Sequence, residues 1–134
     1  KCQNATTANP RPVLLEKEWG RYKYAVLERS PAIYQAIRTL LKDKEAYPTQ
    51  EFYRLLDTAF AEAISPGYAE NAAAHVWGYF KKHATNAERR QYEKNLANYR
   101  NNTGTLATMK RQLFKLAEKY DSDYLLQSLY FYLE

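Results

Sequence analysis

The stretch LLEKEWGRYKYAVLERSPAIYQAIRTLL, residues 14–41, decides the fold. Leu15, Trp19, Tyr22 and Val26 recur every three or four residues, a spacing that brings them to one side of a helix. Ser30-Pro31 then closes that helix and opens another. A serine oxygen can cap free backbone N–H groups, and proline is preset for the first helical position. Ile33, Ile37, Leu40 and Leu41 repeat the pattern up to Asp43–Pro48.

Working outward, the same grammar continues. Thr49 is expected to cap a third helix with Phe52, Leu55, Leu56, Ala59 and Phe60 inward, ended by Ser65-Pro66-Gly67. A fourth runs from about Tyr68 to His83. Thr85-Asn86-Ala87-Glu88 has capping-box spacing and should start a fifth, carrying Tyr92, Leu96 and Tyr99 to a stop at Asn101-Asn102-Thr103-Gly104. A sixth carries Leu106, Met109, Leu113, Leu116 and Ala117. Asp121-Ser122-Asp123 offers caps for a last helix ending in Leu129, Tyr130 and Leu133. No segment reads as a strand, and no fixed-period repeat or low-complexity tract appears. The expected fold is all-α, a compact single-domain bundle of six to seven short helices over residues 14–134. Residues 1–13 are expected to be a flexible N-terminal segment outside the domain.

The chain has 134 residues, 46% of them hydrophobic. At that length a domain buries roughly two thirds of its unfolded surface, enough for a core without staples. No apolar run approaches the ~20 residues of a spanning helix, so no membrane partner is expected. Lys1–Val13 lacks the positive-then-apolar layout of a signal peptide. Cys2 is the one cysteine, which excludes an internal disulfide, a thiolate cluster and a CxxC pair; a cytoplasmic location is expected. Sequons stand at Asn4-Ala5-Thr6 and Asn101-Asn102-Thr103 without other signs of secretion.

Net charge is +5 and the pI near 9.2, which favours acidic partners such as nucleic acid. Thirteen tyrosines add flat rings with wet edges, suited both to helical cores and to stacking on bases. Several cations lie beside them: Arg21 and Lys23 next to Tyr22 and Tyr24, then Lys81, Lys82 and His83, Arg89, Arg90 and Lys94, and Arg100, Lys110, Arg111 and Lys115.

The most unusual segment is Asn71–Lys82, NAAAHVWGYFKK, in which Asn71, His75 and Tyr79 are spaced to share one helical face. One reading buries Asn71 and His75 as hydrogen-bonded polar residues at a helix interface; the other places them in a polar pocket or on a nucleotide-contacting face. The two histidines, His75 and His83, lack HExxH or Cys/His spacing, so no metal ligand set and no cofactor is expected. No serine sits in a nucleophile elbow and no turn resembles a phosphate-cradling glycine loop, so no catalytic residue is assigned.

Together these segments resemble the YbgA-like family of helical domains, catalogued as a domain of unknown function. The resemblance rests on Arg21-Tyr22-Lys23-Tyr24, Glu28-Arg29-Ser30-Pro31, Asn71 with His75-Val76-Trp77-Gly78-Tyr79-Phe80, Glu88-Arg89-Arg90-Gln91, Tyr99-Arg100, and Tyr124-Leu125 with Gln127 and Tyr130. In that family the domain stands alone or follows a cysteine-bearing domain that removes sulfur from thiouracil-type bases. The resemblance implies a non-catalytic RNA-binding accessory role, with tRNA the first candidate, linked to thiouridine desulfuration. It also implies a desulfidase partner supplied by another protein, since that chemistry needs cysteines this chain lacks.

The nucleic-acid-binding residues so expected are Tyr22, Lys23, Asn71, His75, Tyr79, Lys81, Lys82, Arg89 and Arg100. Lysine and arginine would meet phosphates, Tyr79 or Tyr22 would stack, and Asn71 or His75 would hydrogen-bond a base or brace the helix. Two other readings stand beside this one. Ala72-Ala73-Ala74 and Gly78 could seat a partner helix or a second copy in a homodimer. Alternatively, Asn71 and His75 could form a small-molecule or hydrolytic pocket with Glu18, Glu28 or Glu70.

Overall fold

A computed structural model describes residues 12–42 and 48–132. Among these the chain forms seven α-helices and no strand: α1 (Pro12–Leu27), α2 (Pro31–Lys42), α3 (Thr49–Phe60), α4 (Pro66–Trp77), α5 (Asn86–Arg100), α6 (Leu106–Lys119) and α7 (Asp123–Leu126), then a 3-10 turn, Leu129–Phe131. The all-α bundle is the expected architecture. Helix α1 starts at Pro12, so Pro12 and Val13 belong to the bundle. The rest of the expected leader, with Cys2 and the first sequon, lies outside the described residues, as does Leu133 at the expected end of the last helix.

Helix α1 is the axis of the molecule, in contact with α2, α3, α4, α7 and the 3-10 turn. Its Leu15, Trp19 and Val26 pack with Ile37 and Leu41 of α2 and Phe52, Leu56 and Ala59 of α3. Tyr24 and Leu27, on its other side, pack with Val76 and Trp77 of α4, Met109 and Leu113 of α6, and the C-terminal Leu125 and Tyr130. One apolar stripe therefore becomes two faces, and every residue from Tyr24 to Ser30 is buried. Ser30 caps α2 as expected, its Oγ accepting the Ile33 N–H at 3.1 Å.

Several boundaries differ from the expectation. The Thr49 side chain caps nothing; Pro48 occupies the cap position and Thr49 is the first helical residue. Helix α3 stops at Phe60, and Ser65-Pro66-Gly67 starts α4, with Pro66 in the first turn, where a missing N–H costs nothing. Helix α4 ends at Trp77, well short of His83. Gly78, a weak helix former, takes the cap position, and the chain tightens into turns bonded Tyr79 N–H to Val76, Phe80 to Trp77 and His83 to Phe80.

The second half follows its local signals closely. Thr85 and Glu88 make both bonds of the capping box at the start of α5. At its end Asn102 has φ of 59°, the left-handed conformation asparagine tolerates, and the Thr103 and Gly104 N–H groups close on the Asn98 carbonyl. Thr105 caps α6 by accepting the Thr108 N–H. Trp77 stacks on Tyr92, centroids 4.6 Å apart and nearly parallel, tying α4 to α5. The last expected helix is divided into four residues of α7 and the 3-10 turn, which Ser128 opens by accepting the Tyr130 N–H.

Candidate nucleic-acid interface

Tyr24 is the centre of the surface that gathers the unusual residues. Its ring is buried, and its hydroxyl reaches that of Tyr79, 2.9 Å away in the turn after α4. The Tyr79 ring stands edge-on to Tyr24 at 6.3 Å and tilts over Tyr124 of α7 at 5.9 Å. Tyr79 and Tyr124 are 44% and 43% exposed, so each offers ring surface to solvent. The His75 ring lies 6.3 Å from that of Tyr24, and the Lys23 ammonium 5.5 Å from the Tyr24 centroid. Tyr34 of α2 completes the group, stacked obliquely on Trp19 at 5.5 Å.

Burial first, then the Tyr79 hydroxyl, pushes the Tyr24 phenol well above its ordinary range. The same two causes raise Tyr124 to about 12. Burial also raises Tyr34, with the Arg38 charge opposing. These hydroxyls therefore remain protonated at neutral pH, able to donate as well as accept.

The turn that follows is held at three points. Tyr79 is fixed by Tyr24; Arg89 donates from Nη2 to the Lys81 carbonyl at 3.1 Å; Tyr120 shares its one hydroxyl proton between the Glu88 carboxylate at 2.6 Å and the His83 carbonyl at 3.1 Å. The backbone is thereby pinned while the Lys81, Lys82 and His83 side chains remain exposed. Lys81 and Lys82 make no ion pair among the described residues.

Of the nine residues expected to bind nucleic acid, Lys23, His75 and Tyr79 converge on Tyr24, and Lys81 and Lys82 extend from the adjoining turn. Arg89 is half-buried and holds that turn. Tyr22 faces the other way, its ring 5.9 Å from Phe60 in the α1–α3 cluster. Arg100 is paired with Glu70 at 2.9 Å, near the start of α4 and about 10 Å along the helix from its other end. Asn71 is exposed beside Glu70, and because α4 ends at Trp77 it does not continue one face through to Tyr79.

The buried reading of Asn71 and His75 is thus corrected: both are exposed, since α4 turns Ala72, Ala73, Val76 and Trp77 to the core instead. Of the small residues, Ala72 and Ala73 are used within the chain, leaving Ala74 and Gly78 at the surface. Glu18, Glu28 and Glu70 each engage a cation, respectively Arg21, Lys110 and Arg100, and none pairs with His75. Lys110 is not a surface cation at all, being 2% exposed. Tyr24, Tyr34, Tyr124 and Arg38 complete the surface; Tyr24 and Tyr124 stood among the family motifs but not among the expected binding residues, and Tyr34 and Arg38 in neither, since only tertiary packing brings α2 and α7 beside the α4 turn. Among the described residues no group of three or more His, Cys, Asp or Glu is arranged to hold a metal ion, and no helix is long and apolar enough to cross a membrane.

The fold and this surface define a helical domain that presents tyrosine rings and lysines. The family model described as "Protein of unknown function (DUF1722)" matches residues 23–133, and the chain belongs to this family, that of the YbgA-like domain. No curated protein and no solved structure matches it.

Proposed function

We propose that this domain binds RNA, tRNA before other RNAs, through the Tyr79–Tyr124 surface and the Lys81–Lys82 turn. The observation that carries the reading is the pair of half-exposed rings braced on a buried tyrosine hydroxyl, directly before a pinned turn bearing two unpaired lysines. A stacked base gains about 1–3 kcal/mol on such a ring, whatever its identity. Lysines supply phosphate contacts with the salt dependence of counterion release. His75 borders the rings and is placed to hydrogen-bond a base edge. By family resemblance the bound RNA carries thiolated uridine in the cytoplasm, and the sulfur chemistry belongs to a desulfidase domain.

Filter binding of tRNA over a range of salt concentrations tests this. The expected result is affinity that falls with salt, a slope shallower by about 0.7 for each phosphate that the K81A/K82A variant no longer neutralises, and a loss of about tenfold or more in Y79A. Absence of binding at low salt, or full affinity in both variants, would overturn it. A mass that rises with concentration without RNA affinity would instead favour an oligomerisation module.

A further inference from the structure

Tyr24, which fixes Tyr79, is itself held by a closed circuit of contacts. Its ring meets three others, His75 at 6.3 Å, Tyr79 at 6.3 Å and Tyr130 at 6.5 Å. His75 and Tyr79 are exposed and have solvent to move into, whereas Tyr130 is 0% exposed and hemmed in by packed atoms. Tyr130 stands nearly perpendicular to Tyr24, at 80°. It is fastened through both backbone and ring. The carbonyl accepts from the Lys110 ammonium at 2.8 Å, the N–H donates to Ser128 Oγ at 3.1 Å, and the ammonium lies 4.3 Å from the ring centroid. Lys110 also donates to Glu28 at 2.9 Å, and the Glu28 N–H donates to the Tyr24 carbonyl at 3.1 Å. The circuit therefore closes on Tyr24, by a ring contact at one end and by its own backbone at the other.

A buried ion pair is a costly way to join helices. Apolar residues of similar volume often hold as well or better, so cohesion alone does not account for a lysine here. An ammonium, unlike an apolar side chain, fixes the carbonyl and the ring of Tyr130 together, and with them the angle at which the Tyr24 ring lies. That angle decides whether the Tyr24 hydroxyl comes within 2.9 Å of the Tyr79 hydroxyl. We propose that Tyr130, seated on Lys110, is the positioning residue of the stacking surface: it sets Tyr24, and through Tyr24 the exposed Tyr79 ring, without touching the bound base. The proposal rests on the RNA reading for its ligand. It gives the buried pair a part in binding that is separate from its part in stability.

Filter binding of tRNA over a range of salt concentrations tests this in Y130F, Y130L, Y79A, Y130L/Y79A and I37A, with circular dichroism as the check on folding. E28Q/K110M, which removes both charges of the pair and so unseats Tyr130, is the second variant should Y130L not fold. Ile37 lies in the other core cluster, so I37A reports what lost packing does by itself. Y130F keeps the ring and is expected to keep wild-type affinity. Y130L and E28Q/K110M should lose about threefold to tenfold, no more than Y79A itself. Their salt slope should stay that of the wild type, because the phosphate contacts remain. Y130L/Y79A should bind no more weakly than Y79A, since the two residues act as one unit, and I37A should bind as the wild type does. Undiminished affinity in Y130L and E28Q/K110M, a loss in Y130L that adds in full to that of Y79A, or an equal loss in I37A would overturn the positioning role and leave the RNA reading standing. If the wild type binds no tRNA, the RNA reading falls, and the NMR shifts of the Tyr79 ring decide the positioning: moved in Y130L but not in I37A they support it, unmoved in Y130L they overturn it.

Discussion

The Lys110 ammonium lies 2.9 Å from a Glu28 carboxylate oxygen, and the two side chains are 2% and 0% exposed. Lys110 also donates to the Tyr130 carbonyl at 2.8 Å and stands 4.3 Å from that ring's centroid, while Arg29 approaches the same Glu28 oxygen at 3.5 Å. The pair thus joins α6, the α1/α2 turn and the C-terminal 3-10 turn at one point. Stripping one partner from a buried pair strands the other charge, whereas removing both leaves a neutral contact. K110M is therefore expected to lose about 3–5 kcal/mol of stability in urea unfolding. E28Q/K110M should lose less than the sum of the single substitutions.

Acid should weaken the contact between the α5 start and the α6 end. Glu88 accepts from Lys119 and from Tyr120, each at 2.6 Å, and from the Thr85 N–H at 2.8 Å. Those donors, Lys119 first, hold its carboxyl down at about 2 against an ordinary 4.5. A depressed carboxylate stabilises the fold fully above the unfolded value and loses that contribution as pH falls through the folded one. Urea midpoints of the wild type should therefore decline between pH 4.5 and about 2, and those of E88Q should decline less over the same window.

Alkali should reveal the tyrosine cluster. Tyr24 and Tyr34 are held above the ordinary phenol value of 10, and Tyr124 is raised to about 12. A raised phenol contributes stability below about 10 that disappears as pH rises through the folded value. Absorbance titration of tyrosinate should show one class ionising near the ordinary value and a later class whose ionisation accompanies unfolding. The later class should shrink in Y24F and in Y124F.

How much of this was legible in the sequence depends on how local the cause is. The start of α5 and the stop after it were readable because Thr85, Glu88 and Asn102 act within a turn of themselves. Ser65-Pro66-Gly67 was misread because the same residues that stop one helix start the next equally well. The second face of α1 escaped because a helix buried on both sides carries no single stripe. At the site, Lys23, His75 and Tyr79 stood out by type and spacing, and the structure does gather them. Arg38 was invisible, and Tyr124 was legible only as a family motif and not as part of the surface, since nothing local places α2 and α7 beside the turn after α4. The burial of Lys110 was hidden for the same reason, its partner lying 82 positions away.

Gly20 offers a way to disturb the site without disturbing the fold. It is buried in α1, and a Cβ there would lie 3.0 Å from Cε1 of Tyr124 and 3.4 Å from its hydroxyl. In a helix interior alanine is favoured over glycine by about 1 kcal/mol. Against that gain stands a contact tighter than packed atoms tolerate, but the atoms that must yield are the far end of a side chain 43% exposed, with solvent to move into. G20A should therefore melt at or above the wild-type temperature while displacing the Tyr124 ring from its place beside Tyr79. If the two rings act together as a stacking surface, tRNA affinity in G20A should fall several-fold despite undiminished stability. Thermal unfolding and filter binding on the same preparation check both halves: a sharply lowered melting temperature would show that Tyr124 cannot yield, and unchanged affinity would remove Tyr124 from the interface.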